Sequence, residues 1–236
     1  MSATASPRSS LEPVLRRAGA VLGSRDGRLF AAHYGSAAAE LAVCVRAVGV
    51  VDRSDLSTLS LEAPAPQLAA LMSRLLGAVV SPGGLVSSAS AWWCGEARDR
   101  VTVVCDASTA ARLGAALRGD AARHLAVHDR SGELQAIELL GRRTRDVLAA
   151  LGVYGESGDP RRAKPFGAGS VSGVPATWLL VSDRRALALV APERAGEAWL
   201  ALERAGRPLG ISCVGYEAAC RYALMERLQA GAPVGI

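Results

Sequence analysis

His124 and His128 stand four residues apart, the spacing at which two imidazoles on one helix face can share a metal ion. The intervening Leu125-Ala126-Val127 reads equally well as strand, which would carry the pair out of reach of one another. Neither histidine has a cysteine near it in sequence. The five cysteines, Cys44, Cys94, Cys105, Cys213 and Cys220, form no Cys-x-x-Cys pair. No zinc site is therefore legible, and an odd count at wide spacing reads as free thiols in a reducing cytoplasm. Cys213 and Cys220 are candidates for a reactive thiol, but nothing beside them in sequence supports an activated thiolate, and buried structural thiols are the plainer reading. No pair of acids spaced for glycosidic chemistry and no nucleophile elbow is recognisable. Gly167-x-Gly169 sits in a loop with no helix opening behind it, so it does not read as a phosphate-binding turn.

The elements that must position any site come from a chain with a real core. Of 236 residues, 50% are hydrophobic and 21% charged, which excludes a mostly disordered chain and fits one large domain or two small ones. The net charge of +5 is spread along the sequence, Lys164 is the only lysine, and the basic pairs Arg142-Arg143 and Arg161-Arg162 stand alone. Nucleic-acid binding needs a concentrated basic stripe, and stacking needs more than 4% aromatic residues, so that class is disfavoured. Residues 1–10 are Ser/Ala/Pro-rich without an apolar segment and read as a loose tail. The apolar run Leu41 to Val51 is broken by Arg46 and Gly49, short of the ~18 uninterrupted residues a spanning helix needs. A soluble, cytoplasmic protein without a membrane or nucleic-acid partner is expected.

Local patterns predict a weak helix over 12–22, a turn at Arg25-Asp26-Gly27, and a helix over 36–48 capped by Ser36. A half-buried strand over 56–61 and a helix over 64–76 follow. A hairpin fits 85–94 and 101–105, joined through Gly95-Glu96-Ala97-Arg98-Asp99-Arg100. A helix over 108–117 leads to strands at 125–128 and 134–140, read as paired around Arg130-Ser131-Gly132. A helix over 142–151 precedes a glycine-rich loop over 154–173, expected to be mobile or covered by a partner. A hairpin over 178–181 and 186–190 and helices over 193–205 and 217–229 complete the chain. Hairpins interleaved with covering helices make an α+β fold with antiparallel sheets. Trp92 and Trp93, adjacent on a strand, face opposite sides, one toward the core and the other toward any cavity.

Three segments, in order, resemble the glycine cleavage T-protein (aminomethyltransferase) and its folate-binding relatives. The first is His33-Tyr34-Gly35-Ser36, Glu40 and Val45-Arg46-x-x-Gly49-Val50-Val51-Asp52-Arg53-Ser54, with the strand and the Arg74-Leu75-Leu76 helix behind it. The second is Gly83-Gly84-Leu85-Val86 leading into Val101-Thr102-Val103-Val104. The third runs from Ala191-Pro192-Glu193 through Trp199-x-x-Leu202, Gly206-x-Pro208-Leu209-Gly210 and Gly215-x-Glu217-Ala218 to Arg227-Leu228-Gln229-Ala230-Gly231-x-Pro233. Each string is weak alone; their joint order over residues 30 to 235 is more specific.

The resemblance implies a folate-binding fold in which a ferredoxin-like unit, inserted at about residues 55–130, and β-rich surroundings enclose a central hole. The folate-binding region would span 11–236, without the family's C-terminal barrel domain, and a homodimer or partner subunit would cover what that domain covers. At the family's Asp pair this chain has Ser87 and Ser88. Ser88 stands at the catalytic position, where a hydroxyl without an activating base cannot replace a carboxylate. Thr102 and Val104 match cavity-lining positions, with Thr102 where an aromatic ring is usual. Arg184 falls at the glutamate that pairs with the pterin, with Asp183 beside it. Arg227 matches an arginine facing the folate, where a guanidinium suits a carboxylate tail; Gln229 replaces its neighbouring glutamate. The implied cofactor is tetrahydrofolate or 5,10-methylene-tetrahydrofolate, and the implied role is one-carbon transfer as a dimer or complex subunit. The alternatives are a catalytically silent scaffold or regulatory member, or a cavity refitted for another small ligand.

Overall fold

The alternation in Val101-Thr102-Val103-Val104-Cys105 sets the layering of the molecule. In the computed structural model, which describes residues 9–88, 90–120, 124–155 and 158–229, this segment is the centre of a strand at Arg100–Asp106. Val101, Val103 and Cys105 pack under two helices, while Val104 packs into an apolar layer shared with a second sheet. Side chains two apart share a face, so Thr102 points the same way as Val104.

In chain order, a short helix α1 (Glu12–Arg17) precedes the hairpin β1 (Val21–Arg25) and β2 (Arg28–His33). Helix α2 (Ala37–Arg46) leads to β3 (Val48–Asp52) and β4 (Leu56–Glu62); α3 (Ala65–Leu76) is followed by β5 (Leu85–Ser87), β6 (Ala91–Ala97) and β7 (Arg100–Asp106). Next come α4 (Ala107–Asp120), β8 (Ala126–Asp129), β9 (Gln135–Leu140) and α5 (Thr144–Ala150). The chain ends with β10 (Phe166–Val171), β11 (Val174–Ser182), β12 (Arg185–Val190), α6 (Ala195–Gly206), β13 (Ile211–Cys213) and α7 (Tyr216–Gln229).

Strands β5-β6-β7-β4-β8 form a five-stranded antiparallel sheet, in that order. Read as β4-α3-β6-β7-α4-β8, this is a ferredoxin-like βαββαβ unit with β5 added at its edge. Helices α3 and α4 cover one face through Leu68, Met72, Ala110 and Leu117. The six-stranded sheet has the order β10-β11-β12-β9-β3-β13, antiparallel except for the parallel β3–β13 pair. Its outer face packs on α5 and α6 through Val147, Leu148, Trp199 and Leu202. Between the sheets, Leu56, Cys94 and Val104 meet Phe166, Leu179, Leu187 and Leu189. The fold is α+β, as the patterns predict. Among the described residues no helix is long and apolar enough to cross a membrane.

Several local expectations are corrected. The first helix stops at Arg17, because Gly19 takes a φ of +85° and the chain turns into β1. The Asp26-Gly27 turn, with φ values of +50° and +76°, then closes a hairpin whose second strand the sequence does not reveal, a geometry suited to right-handed strand twist. The strands at 126–129 and 135–140 do not pair with each other: β8 joins β4, and β9 lies between β12 and β3. Hydrogen bonds to the Thr58 backbone at the crossing explain the separation, since Arg130 N donates to Thr58 O at 2.8 Å and Ser131 Oγ accepts from Thr58 N at 3.1 Å. The expected loop over 154–173 contains β10, paired along its length with β11. Residues 1–8 of the expected tail lie outside the described residues, but Ser9 is buried and its hydroxyl bonds Ser54 Oγ at 2.8 Å. His128 is on strand β8 and His124 precedes it, so the helical spacing that would bring the two together is not formed.

Candidate functional site

Beside the apolar layer between the sheets lies a cavity of about 1060 Å³. One wall comes from the loop at Pro82-Gly83 and from Gly95, Glu96 and Thr102 on β6 and β7. The facing wall comes from Phe166 to Ser170 on β10, from Thr177, Trp178 and Leu180 on β11, and from Leu189. The connections at 130–134, 151–155 and 163–164 contribute Arg130, Leu134, Tyr154 and Lys164.

Two glycines let the walls approach. Gly95 lies so close to the preceding loop that a Cβ there would sit 2.0 Å from the Ser81 carbonyl oxygen, so any larger residue collides with backbone. Gly83 adopts a φ of +78°, donates its N–H to Gly95 O at 2.7 Å and accepts from Phe166 N at 3.0 Å. A Cβ on Gly83 would also meet the Lys164 stem at 2.8 Å. The Gly83-Gly84 pair seen in the sequence thus ties β6 of one sheet to β10, the outer strand of the other.

The polar groups on these walls are few. Glu96 accepts from Thr102 Oγ1 at 3.1 Å and from Arg100 Nη1 at 3.4 Å. Arg130 is ion-paired with Glu133 at 2.8 Å. Lys164 forms no ion pair among the described residues. Trp178 donates its indole N–H to Ser170 O at 3.3 Å, leaving a ring edge on the wall. Burial pushes the Tyr154 phenol up to about 12, so it stays neutral at physiological pH. Among the described residues the arrangement supplies one carboxylate acceptor, one ammonium, one ion-paired guanidinium and aromatic edges. Burial pushes the Cys105 and Cys213 thiols up to about 12 and Cys94 upward too. Cys213 moreover donates to Glu203 Oε1 at 3.3 Å, which opposes thiolate formation.

Of the residues singled out in the sequence, Thr102 lines the cavity and Val104 lies in the adjoining apolar layer. Ser87 and Ser88 are exposed at the β5–β6 turn, away from the lining residues. The Ser88 hydroxyl is engaged there, donating to Ala91 O at 3.1 Å and accepting from Trp93 Nε1 at 3.3 Å. Asp183 and Arg184 are exposed in the β11–β12 turn. The Arg184 carbonyl accepts from Gly141 N at 2.8 Å and Thr144 Oγ1 at 3.2 Å, and its guanidinium raises no cavity wall but acts on Tyr222 and Glu226. Arg227 is exposed in the last turn of α7. Trp93 is the core member of the tryptophan pair; Trp92 faces the second sheet with the Arg185 guanidinium 5.0 Å from its ring centroid.

Glu96, Tyr154, Lys164 and Phe166 are cavity residues that sequence reasoning did not select. The sequence pattern places Glu96 in a hairpin connection, whereas β6 runs on to Ala97 and carries it as a strand residue. Glu96 falls where the β6–β7 register shifts between Gly95 and Ala97, an irregularity that no local alternation signals.

A second polar centre lies behind β3. Fully buried Glu138 accepts from Arg53 Nη1 at 2.7 Å and from Arg185 Nε. Arg53 also forks onto Asp55 at 2.8 and 3.0 Å. Burial opposes the Glu138 charge, and the two guanidinium groups override it, holding the carboxyl below its ordinary range. Asp52 accepts from Ser54 and Gln135 through Oδ1, while its Oδ2 and the Tyr34 hydroxyl are buried without a hydrogen-bond partner among the described residues. Burial pushes Asp52 up to about 6.

No protein-family model and no curated protein matches the sequence. Solved structures do match the fold. The glycine cleavage system aminomethyltransferase T from Bartonella henselae superposes with a TM-score of 0.74 at 16% identity, over 97% of this chain and 64% of that one. A chain of the heterotetrameric sarcosine oxidase from Corynebacterium sp. U-96 matches with a TM-score of 0.53 at 17% identity, over 77% of this chain and 96% of that one. At these identities the likeness is one of architecture: the chain has a fold like that of aminomethyltransferase T and spans 64% of its length.

Proposed function

We propose that the protein binds a reduced folate, tetrahydrofolate or 5,10-methylene-tetrahydrofolate, in the cavity between its two sheets. Its role in one-carbon metabolism is that of a binding or regulatory subunit. The observation that carries this is the cavity itself: about 1060 Å³ between a ferredoxin-like unit and a second sheet, with a braced carboxylate on one wall. That volume suits a ligand larger than a single ring. The residues fit a pterin head, because Glu96 presents oxygens to a pair of adjacent ring and amino N–H donors. Thr102 and Arg100 hold that carboxylate in place, and the Trp178 and Phe166 edges offer apolar contact to a flat heterocycle. Bound folate would supply the carrier for a one-carbon unit; the chain's own part is to bind it, orient it and exclude water.

The position of Ser88 favours binding over transfer. Its hydroxyl closes a turn and bonds Trp93, so the residue at the family's catalytic position is not aimed at the cavity. Among the described residues, Glu96 is the carboxylate lining the site, and proton transfer at a bound one-carbon unit would have to run through it. We read residues 55–130 as a unit inserted into the rest of the fold, which supports a site made where the two meet. A role as subunit of a larger assembly is supported by the match to a chain of a heterotetrameric oxidase. A second copy of the chain is the other partner considered.

Titration calorimetry with tetrahydrofolate and its 5,10-methylene form tests the proposal. A Kd well below about 1 mM, the affinity of only ~4 kcal/mol, is expected. Weaker binding of both by the wild-type protein would remove the folate reading. Glu96→Gln should weaken binding of either form by about tenfold.

A further inference from the structure

We infer, building on the folate-type reading above for the head of the ligand, that Lys164 receives a carboxylate from its other end. The occupant of the cavity then carries a free acidic tail. Three charged side chains line the cavity among the described residues: Glu96, Arg130 and Lys164. Glu96 is answered by Arg100, and Arg130 by Glu133. Lys164 has no such partner among the described residues, which leaves one uncompensated positive charge on the wall. An occupant that excludes water from this ammonium must offer it an anion, since an unpaired charge is costly to desolvate.

The placement of Lys164 is built into the loop it crosses. Gly83 holds a φ of +78°, and a Cβ there would lie 2.8 Å from Lys164 Cδ and 3.3 Å from Cγ. Glycine at this position therefore serves the turn and leaves a track for the lysine stem. Gly83 is itself fixed by backbone bonds to Gly95 and Phe166, so the stem is laid against a rigid base. Lys164 is also the only lysine in a chain that uses arginine everywhere else. A compact ammonium with three rotatable donors suits a carboxylate that reaches it on a flexible chain, where a planar fork would demand a fixed approach.

The test titrates wild-type protein and Lys164→Gln with three probes. These are tetrahydropterin (head without tail), p-aminobenzoyl-triglutamate (tail without head) and tetrahydrofolate triglutamate (both). The exposed position of Lys164 makes Lys164→Gln a variant expected to fold, checked by its melting curve. Lys164→Gln is expected to weaken the two tail-bearing probes by about tenfold and to leave tetrahydropterin unchanged. Equal binding of the tail-bearing probes by both proteins, or equal losses for all three probes, would overturn the inference. If the wild type binds the tail fragment through Lys164 but not tetrahydropterin, the folate reading fails and the tail site stands. If it binds tetrahydropterin and not the tail fragment, the tail site fails and the folate reading stands. Binding of none of the three overturns both.

Discussion

The Phe166 amide donates to the Gly83 carbonyl at 3.0 Å, a bond that joins the outer strand of the six-stranded sheet to the loop heading the five-stranded one. Gly83 hands the connection on to Gly95 at 2.7 Å. Two backbone hydrogen bonds thus hold the two cavity walls in register, and neither depends on side-chain chemistry. The constraint falls on residue size instead.

Gly95→Ala is therefore expected to destabilise the fold by about 2–4 kcal/mol. The added methyl would lie 2.0 Å from a backbone oxygen that no rotamer change can move. Urea unfolding gives the value directly. A loss under about 0.5 kcal/mol would mean that the loop at Ser81 is free to yield, and the rigid-wall account would be abandoned.

Ser88→Asp, which puts an acid where the proposed resemblance to the aminomethyltransferases has one, is expected to leave one-carbon transfer absent. The side chain belongs to the β5–β6 turn and lies away from the cavity wall. Ser88→Ala should cost about 1 kcal/mol by orphaning the Trp93 indole N–H, with folate affinity unchanged. An assay of aminomethyl transfer with the Asp variant settles it: any turnover above the wild-type background would place residue 88 against the ligand.

How much was legible follows from what each residue signals locally. The alternation through Val101 to Cys105 announces a strand with a covered face, and Thr102, named through the family resemblance, lies on the face opposite Val101 and Val103. Strand β10 carries no such signal. Phe166-Gly-Ala-Gly-Ser-Val is poor in β-formers, and it is a strand because β11 supplies a ladder along its whole length. The strands at β8 and β9 were visible one by one, but their partners were not. Short sequence separation suggested a hairpin, and contacts with Thr58 send them to different sheets. Lys164 stood out by rarity alone, and its place beside Gly83 is a tertiary fact that no local pattern encodes.

Glu138 sits between Arg53 and Arg185 with no exposed surface. Glu138→Ala should cost about 3–5 kcal/mol, because it leaves two guanidinium groups buried with Asp55 as the one remaining carboxylate on Arg53. Arg185 would also lose the contact that steadies it over Trp92. The double variant Glu138→Leu with Arg185→Leu should be markedly less harmful than the sum of the singles, since it removes charge from both sides. Strict additivity in chemical unfolding would show that the pair does not interact.

Asp52 gives the opposite dependence on acid. Its carboxyl is pushed up to about 6 in the folded chain, chiefly by burial and against the hydrogen bonds from Ser54, while an unfolded aspartate titrates near 3.9. Between those values the folded state binds more protons than the unfolded state, so this group lowers stability as pH rises from about 4 to about 6. Above that window the loss is complete and constant. Asp52→Asn keeps an oxygen for Ser54 and Gln135 and carries no charge to desolvate. It should stabilise the fold at pH 7.5 by about 1–3 kcal/mol and have little effect at pH 4. Taking the difference between variant and wild type at each pH removes the contribution of Glu138, whose depressed carboxyl adds stability above its unfolded pKa and loses it as pH falls. Parallel stability-versus-pH curves for the two proteins would sink the assignment, because a buried charge at Asp52 must make them converge in acid.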